Sequence, residues 1–205
     1  MELKTILLIM GSTRAGRKCP QVAAWVKSIG QTCADFAYEI VDLANWSLPM
    51  DDEPGIPALG HYTQAHTRTW SDKIKSADAV IFVTPQFNWG YPAVLKNAID
   101  HLYHEWRDKP TVIVTYGGHG GTRCARQLRR VAVSLKMRVV ATAPALVLPD
   151  AVIRQGATLD ADQDFAASKP AVQKAFVELA RQLAGRENIL SRIRRRWKTT
   201  ISVVS

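Results

Sequence analysis

The run Ala79-Val80-Ile81-Phe82-Val83 is apolar on both of its faces. A strand that offers neither face to water belongs in the middle of a parallel sheet with helices above and below. Four other runs can pair beside it: Thr5 to Met10, Phe36 to Leu43, Thr111 to Thr115 and Val139 to Ala143. Between and after these runs, side chains recur at helical spacing. The stripes are Val22-Trp25-Val26-Ile29, Tyr62-His66-Trp70-Ile74, Leu95-Ala98-Ile99-Leu102, Leu128-Val131-Ala132-Leu135 and Val172-Ala175-Phe176-Leu179-Leu183. Five strands alternating with five helices predict an α/β, three-layer sandwich around a five-stranded parallel sheet. A length of 205 residues fits one domain, 1–186, followed by a basic tail, 187–205.

In such a sheet, ligands bind beyond the carboxyl ends of the strands, where the strand order reverses. Three of those ends carry unusual sequence. After the first strand comes Gly11-Ser12-Thr13-Arg14-Ala15-Gly16-Arg17, then Pro20 and a helix. A loop there gathers backbone N–H groups at the positive end of a helix dipole, which suits an anion. Ser12 and Thr13 add hydroxyl donors, and Arg14 and Arg17 add charged forks, so phosphate is the natural guest. The nucleotide-binding P-loop pattern fails, because Arg17-Lys18 stand where Lys and Ser/Thr are required. The dinucleotide pattern G-x-G-x-x-G fails as well. A Ser/Thr/Arg loop in this position looks more like a flavodoxin-type flavin phosphate site.

The third strand ends in Thr84-Pro85-Gln86-Phe87-Asn88-Trp89-Gly90-Tyr91-Pro92 and the fourth in Tyr116-Gly117-Gly118-His119-Gly120-Gly121. Strand order 2-1-3-4-5 would bring all three loops to one crevice. Phe87, Trp89 and Tyr91 can flank a flat ring, Gln86 and Asn88 can bond its heteroatoms, and the glycines let backbone approach its polar edge. None of the loops offers an acid, a cysteine nucleophile or a metal set at its centre. That points to a cofactor carrying its own reactivity, with no catalytic side chain.

The net charge of +9 is concentrated at the end of the chain. Residues 186–205 hold six basic side chains and one acidic, leaving +4 for the body. A mildly basic body suits a phosphorylated cofactor, and no nucleic-acid partner is expected. Three cysteines, Cys19, Cys33 and Cys124, form no paired framework and fit a reducing, cytoplasmic setting. No apolar run approaches the roughly 18 residues of a membrane span. His101, His104 and Glu105 read as the charged end of a helix, and no metal is expected.

Gly11-Ser12-Thr13-Arg14 with Arg17, the long stretch Thr84 to Asp100, and Tyr116-Gly117-Gly118 together resemble the NADPH-dependent FMN reductase family. That family includes quinone, azo-dye and chromate reductases, and the likeness spans about residues 4 to 185. The resemblance implies a flavodoxin-like fold, FMN as cofactor and NADPH or NADH as hydride donor. It implies that Ser12, Arg14 and Arg17 hold the FMN phosphate. Pro85, Gln86, Phe87 and Asn88 would line the ribityl chain and isoalloxazine, and Tyr116, Gly117 and Gly118 would contact the ring's other edge. It further implies a homodimer or homotetramer and a small-molecule electron acceptor. The chain departs from the family at Gln86, usually Glu, and at Phe87, often Tyr. A flavin-binding electron carrier or redox-sensing partner protein is the competing reading.

Overall fold

Side-chain alternation along the strands divides the core in two. The computed structural model describes residues 3–50 and 52–201, with residues from Arg186 onward described as backbone only. The strands are β1 (Thr5–Met10), β2 (Ala37–Asp42), β3 (Ala79–Pro85), β4 (Pro110–Gly117), β5 (Arg138–Val139) and β6 (Ala145–Val147). The helices are α1 (Cys19–Cys33), α2 (Ala65–Lys75), α3 (Ala93–Asp100), α4 (Thr122–Ser134), α5 (Asp150–Arg154), α6 (Ala161–Asp164) and α7 (Lys169–Ile201). The sheet runs β2-β1-β3-β4-β5, all parallel, with β6 also paired to β4. This is the expected order. Every residue of β3 is buried, as its two apolar faces require.

Ile6, Leu8, Met10, Ile81 and Val83 point to one layer, where they meet Trp25 and Val26 of α1 and Phe176 and Leu179 of α7. Leu7, Ile9, Val80 and Phe82 point to the other, where they meet Trp70, Leu95, Ile99, Trp106 and Leu128. Trp70 and Trp106 are fully buried, and each indole N–H donates to a carbonyl of α3: Ala98 O at 2.7 Å and Ile99 O at 2.9 Å. Large apolar area is therefore gained without stranding a polar atom.

The fifth strand differs from the expected Val139–Ala143. It is split into β5 and β6: Val140 N and Pro144 O still bond Thr111 O and Thr115 N of β4, but between them the chain turns to partners outside the ladder. The Arg129 guanidinium donates to Val140 O and Ala141 O, and Glu178 accepts from the Thr142 N–H and hydroxyl. Pro144 has no N–H to offer. Two short helices, α5 and α6, also stand where the sequence shows no helical stripe. Helix α2 begins at Ala65, so Tyr62 lies ahead of it. The backbone of α7 continues helical to Ile201; the side chains of the basic tail lie outside the described residues.

Gly11 is where β1 leaves the sheet. Its N–H donates to Val83 O at 2.8 Å, continuing the β1–β3 ladder by one residue. A Cβ on Gly11 would stand 2.8 Å from Thr84 Oγ1 and 2.9 Å from Leu95 Cδ2, both buried. Gly11→Ala is thus expected to lower unfolding free energy by about 1–3 kcal/mol, the usual cost of overpacking a filled site. Chemical denaturation measures it; an unchanged midpoint would mean that strand end and helix start do not meet this closely.

Candidate active site

The ends of β1, β3 and β4 are adjacent, and their loops bond to one another. Gln86 N donates to Tyr116 O at 3.1 Å, fastening the second loop to the third. Gly120 N folds back on Gly117 O at 3.0 Å, and the Thr115 hydroxyl holds Gly120 O at 2.8 Å. Gly121 turns there with φ +81°, and a Cβ on it would stand 2.9 Å from Thr115 Cβ, so the turn into α4 requires glycine.

These loops enclose an open cavity of about 290 Å³. It is lined by Ser12, Arg14, Gly16, Arg17 and Lys18 from the first loop, Pro85, Gln86 and Phe87 from the second, and Tyr116, Gly117 and Gly118 from the third. Of the residues that the family resemblance assigns to the cofactor, all but Asn88 line it; Thr13, Trp89 and Tyr91, also noted in these loops, do not. Asn88 and Trp89 form the tip of a two-residue hairpin turn, with φ of 46° and 73° and paired bonds between Phe87 and Gly90. The turn carries Trp89 outward, 61% exposed, with the Arg123 guanidinium 3.4 Å above its ring. Tyr91 packs against the second core instead. Of the three aromatics only Phe87 flanks the cavity, beneath the Arg14 guanidinium at 4.0 Å.

Three further walls, Leu148, Val152 and Ile153, come from the segment around α5. The sequence does carry a signal for them, the apolar run Ala145 to Leu148 followed by Pro149 at a helix start. It went unread because no apolar stripe of helical length follows.

The cavity wall carries three cations, Arg14, Arg17 and Lys18, and no carboxylate. Arg17 donates to Asp42 Oδ2 at 2.6 Å, which fixes the guanidinium on the end of β2. Its Nε is buried and has no hydrogen-bond partner. A buried donor left unpaired costs about 1–3 kcal/mol. Gln86 uses its side-chain carbonyl, accepting from Cys124 N at 3.2 Å at the start of α4.

Similarity to known proteins agrees with this geometry. The sequence profile of NADPH-dependent FMN reductases matches residues 5–148. The chain belongs to the NADPH-dependent FMN reductase family. It is an oxidoreductase whose cofactors are FMN and NAD(P)H. An NAD(P)H-dependent FMN reductase of Schizosaccharomyces pombe is 54% identical over 177 residues, 85% of this chain and 88% of that one. A quinone reductase of Escherichia coli is 30% identical over 147 residues, 68% of this chain and 74% of that one. Among solved structures, the flavoenzyme NAD(P)H:(acceptor) oxidoreductase FerB of Paracoccus denitrificans superposes with a TM-score of 0.64 at 19% identity. That match covers 88% of this chain and 99% of FerB, and shows a shared flavodoxin-like fold.

No thiol or phenol at the site is poised to react. Burial, outweighing the help of Tyr116 and Ser12, pushes the Cys19 thiol up to about 11. Burial pushes Cys124 up to about 12 and raises the Tyr116 phenol well above its ordinary value. All three remain protonated at neutral pH. A thiol-reactive dye at pH 8 is expected to titrate Cys33 alone in the native protein, since Cys19 and Cys124 are buried and Cys33 is half-exposed. Cys19 and Cys124 should react only after denaturation; rapid native reaction of either would contradict the packing under the loops.

Proposed function

We propose that the chain passes a hydride from NAD(P)H by way of FMN to a quinone-like or other small acceptor, the two substrates taking turns in one cavity. The observation that carries this reading is the cationic, carboxylate-free wall with the unpaired Arg17 Nε, at the end of the sheet where the three loops meet. These residues fit the cofactor. Ser12, Arg14 and Arg17 hold its phosphate, with Arg17 kept in position by Asp42. Pro85, Gln86, Phe87 and, from the turn beside it, Asn88 bound the ribityl chain and one side of the ring. Tyr116, Gly117 and Gly118 bound its other edge, and Leu148, Val152 and Ile153 add an apolar wall that keeps water away. When bound, FMN supplies the atom that takes the hydride, N5, and gives the electrons up again. No side chain acts as nucleophile, in keeping with the raised Cys19 thiol and Tyr116 phenol.

Free thiols at Cys19, Cys33 and Cys124 support a cytoplasmic setting. Exposed Ile56, Leu59 and Trp89 offer apolar surface for a homodimer or homotetramer. Residues 187–205 are assigned as an appendage to the reductase domain, because the loops that line the cavity all lie earlier in the chain. Among the described residues no helix is long and apolar enough to cross a membrane.

The direct test is the absorption spectrum of purified protein, expected to show bound flavin that NADPH bleaches and a quinone restores. Replacing Arg14 and Arg17 together with alanine is expected to weaken FMN far more than riboflavin, since only FMN carries the phosphate. Each charged hydrogen bond lost is worth on the order of 1.5–3 kcal/mol. Equal losses for the two ligands, measured by flavin fluorescence titration, would refute this assignment.

Gln86→Glu tests the other end of the cavity. A glutamate in the same pose still accepts from Cys124 N and gains from the α4 dipole, so the fold tolerates it. Its negative charge opposes the electrons that reduction brings onto the ring. Anaerobic titration is expected to show a lower flavin potential with FMN still bound. An unchanged potential would remove Gln86 from the flavin's surroundings.

A further inference from the structure

A second polar cluster lies away from the flavin cavity, and the two cavities share no lining residue. Of the helix-end trio, His104 and Glu105 take no part in it. His104 Nε2 bonds Ala58 O at 2.8 Å, and Glu105 accepts from the Tyr62 and Ser71 hydroxyls at 2.9 and 2.6 Å. His101 and Glu105 are buried, 6% and 8% exposed, which corrects their reading as a surface helix end.

His101 closes α3 and turns instead toward the loop between β2 and α2. Its Nε2 stands 2.9 Å from Pro49 O, and its Nδ1 3.0 Å from the Thr67 hydroxyl. His66, in the first turn of α2, sets its Nε2 2.9 Å from Asp52 Oδ2 and 3.2 Å from Oδ1. The two imidazoles meet edge to face, their centroids 5.8 Å apart. A nitrogen of each ring and a carboxylate oxygen of Asp52 all lie within 4.8 Å of one another. Among the described residues no other trio of His, Cys, Asp or Glu side chains converges in this way.

We propose that Asp52, His66 and His101 bind one divalent transition-metal ion of the zinc type. Two imidazole nitrogens and one carboxylate oxygen are the borderline donors such ions select. Tetrahedral ligands about 2.1 Å from a common ion stand roughly 3.4 Å apart; His66 and Asp52 are 2.9–3.2 Å apart, and a nitrogen of His101 lies within 4.8 Å of both. Thr67 supplies the outer contact that fixes the imidazole, holding Nδ1 and leaving Nε2, now on the Pro49 carbonyl, to take the ion. In each contact the metal takes the place of a proton: between His66 and Asp52, and between His101 and the Pro49 carbonyl. An entry path is present, because Asp52 and His101 line an open cavity of about 280 Å³ together with Glu53, whose charge favours a cation, and Asp100, which is paired with Lys96. Bound there, the ion ties the loop from β2 to the start of α2 and the end of α3.

The test uses the full-length, tag-free flavoprotein, stripped with a chelator and titrated with zinc chloride by calorimetry at pH 7. One ion per chain is expected. At a hundredfold excess over Kd the thermal midpoint should rise by roughly 5 °C. Cobalt(II) should give the visible bands of a nitrogen- and oxygen-ligated ion. Asp52→Asn and His66→Gln change half-exposed residues that the core does not need. Each should weaken zinc at least about tenfold and abolish the rise in midpoint, while NADPH still bleaches the flavin. Absence of saturable binding in the unsubstituted protein, or unchanged binding in either variant, overturns the proposal.

Discussion

A parallel sheet buried on both faces has few places left for polar chemistry, and the carboxyl ends of its strands are the chief one. In this chain that constraint is tightened by a single crossing. Gly11 carries β1 past Thr84 and Leu95 with no room for a side chain, and its N–H still bonds to β3. The loop that follows, with Ser12, Arg14 and Arg17, is thereby launched directly over the ends of β3 and β4. The second and third loops are then fastened by the bond from Gln86 N to Tyr116 O. The cavity is a product of how the strands end, and its cationic character comes from one loop.

The features most legible in the sequence were those with a strict physical cause. Apolar runs such as Ala79 to Val83 can serve little except the centre of a covered sheet, and helical stripes such as Val22-Trp25-Val26-Ile29 announce their buried face. The phosphate-type loop was legible because its arginines follow a strand end at once. What escaped was set by partners far away in the chain. The break in the fifth strand depends on Arg129 and Glu178, and the outward swing of Trp89 on a turn that puts Asn88 and Trp89 at positive φ. The wall formed by Leu148, Val152 and Ile153 escaped because a five-residue helix is too short to show a period. The convergence of Asp52, His66 and His101 joins a loop to two helices, which no local pattern reveals.

Electrostatics at the two cavities run in opposite senses. Arg14, Arg17 and Lys18 make one a receptor for anions. Asp52, Glu53 and Asp100 stand around the other. There Glu53 is held down to about 2, because bonds from the Thr63 and Gln64 backbone and the Thr63 hydroxyl outweigh the burial that would raise it. Its contribution to holding the loop is complete above the ordinary carboxylate value and fades as acid approaches its own. The loop's attachment thus depends on Glu53 remaining ionised.

The divided fifth strand has a consequence for how the chain behaves in company. A long, continuous strand at the rim of a sheet presents a row of unpaired amides and carbonyls that a stranger's backbone can join. Here the rim beside β4 is two short pieces, of two and three residues, and between them Val140 O, Ala141 O and the Thr142 N–H are already held by Arg129 and Glu178. An incoming strand finds no register to copy. On that side the sheet is closed to accretion, and a crowded solution of this protein has one fewer route into fibrous aggregates.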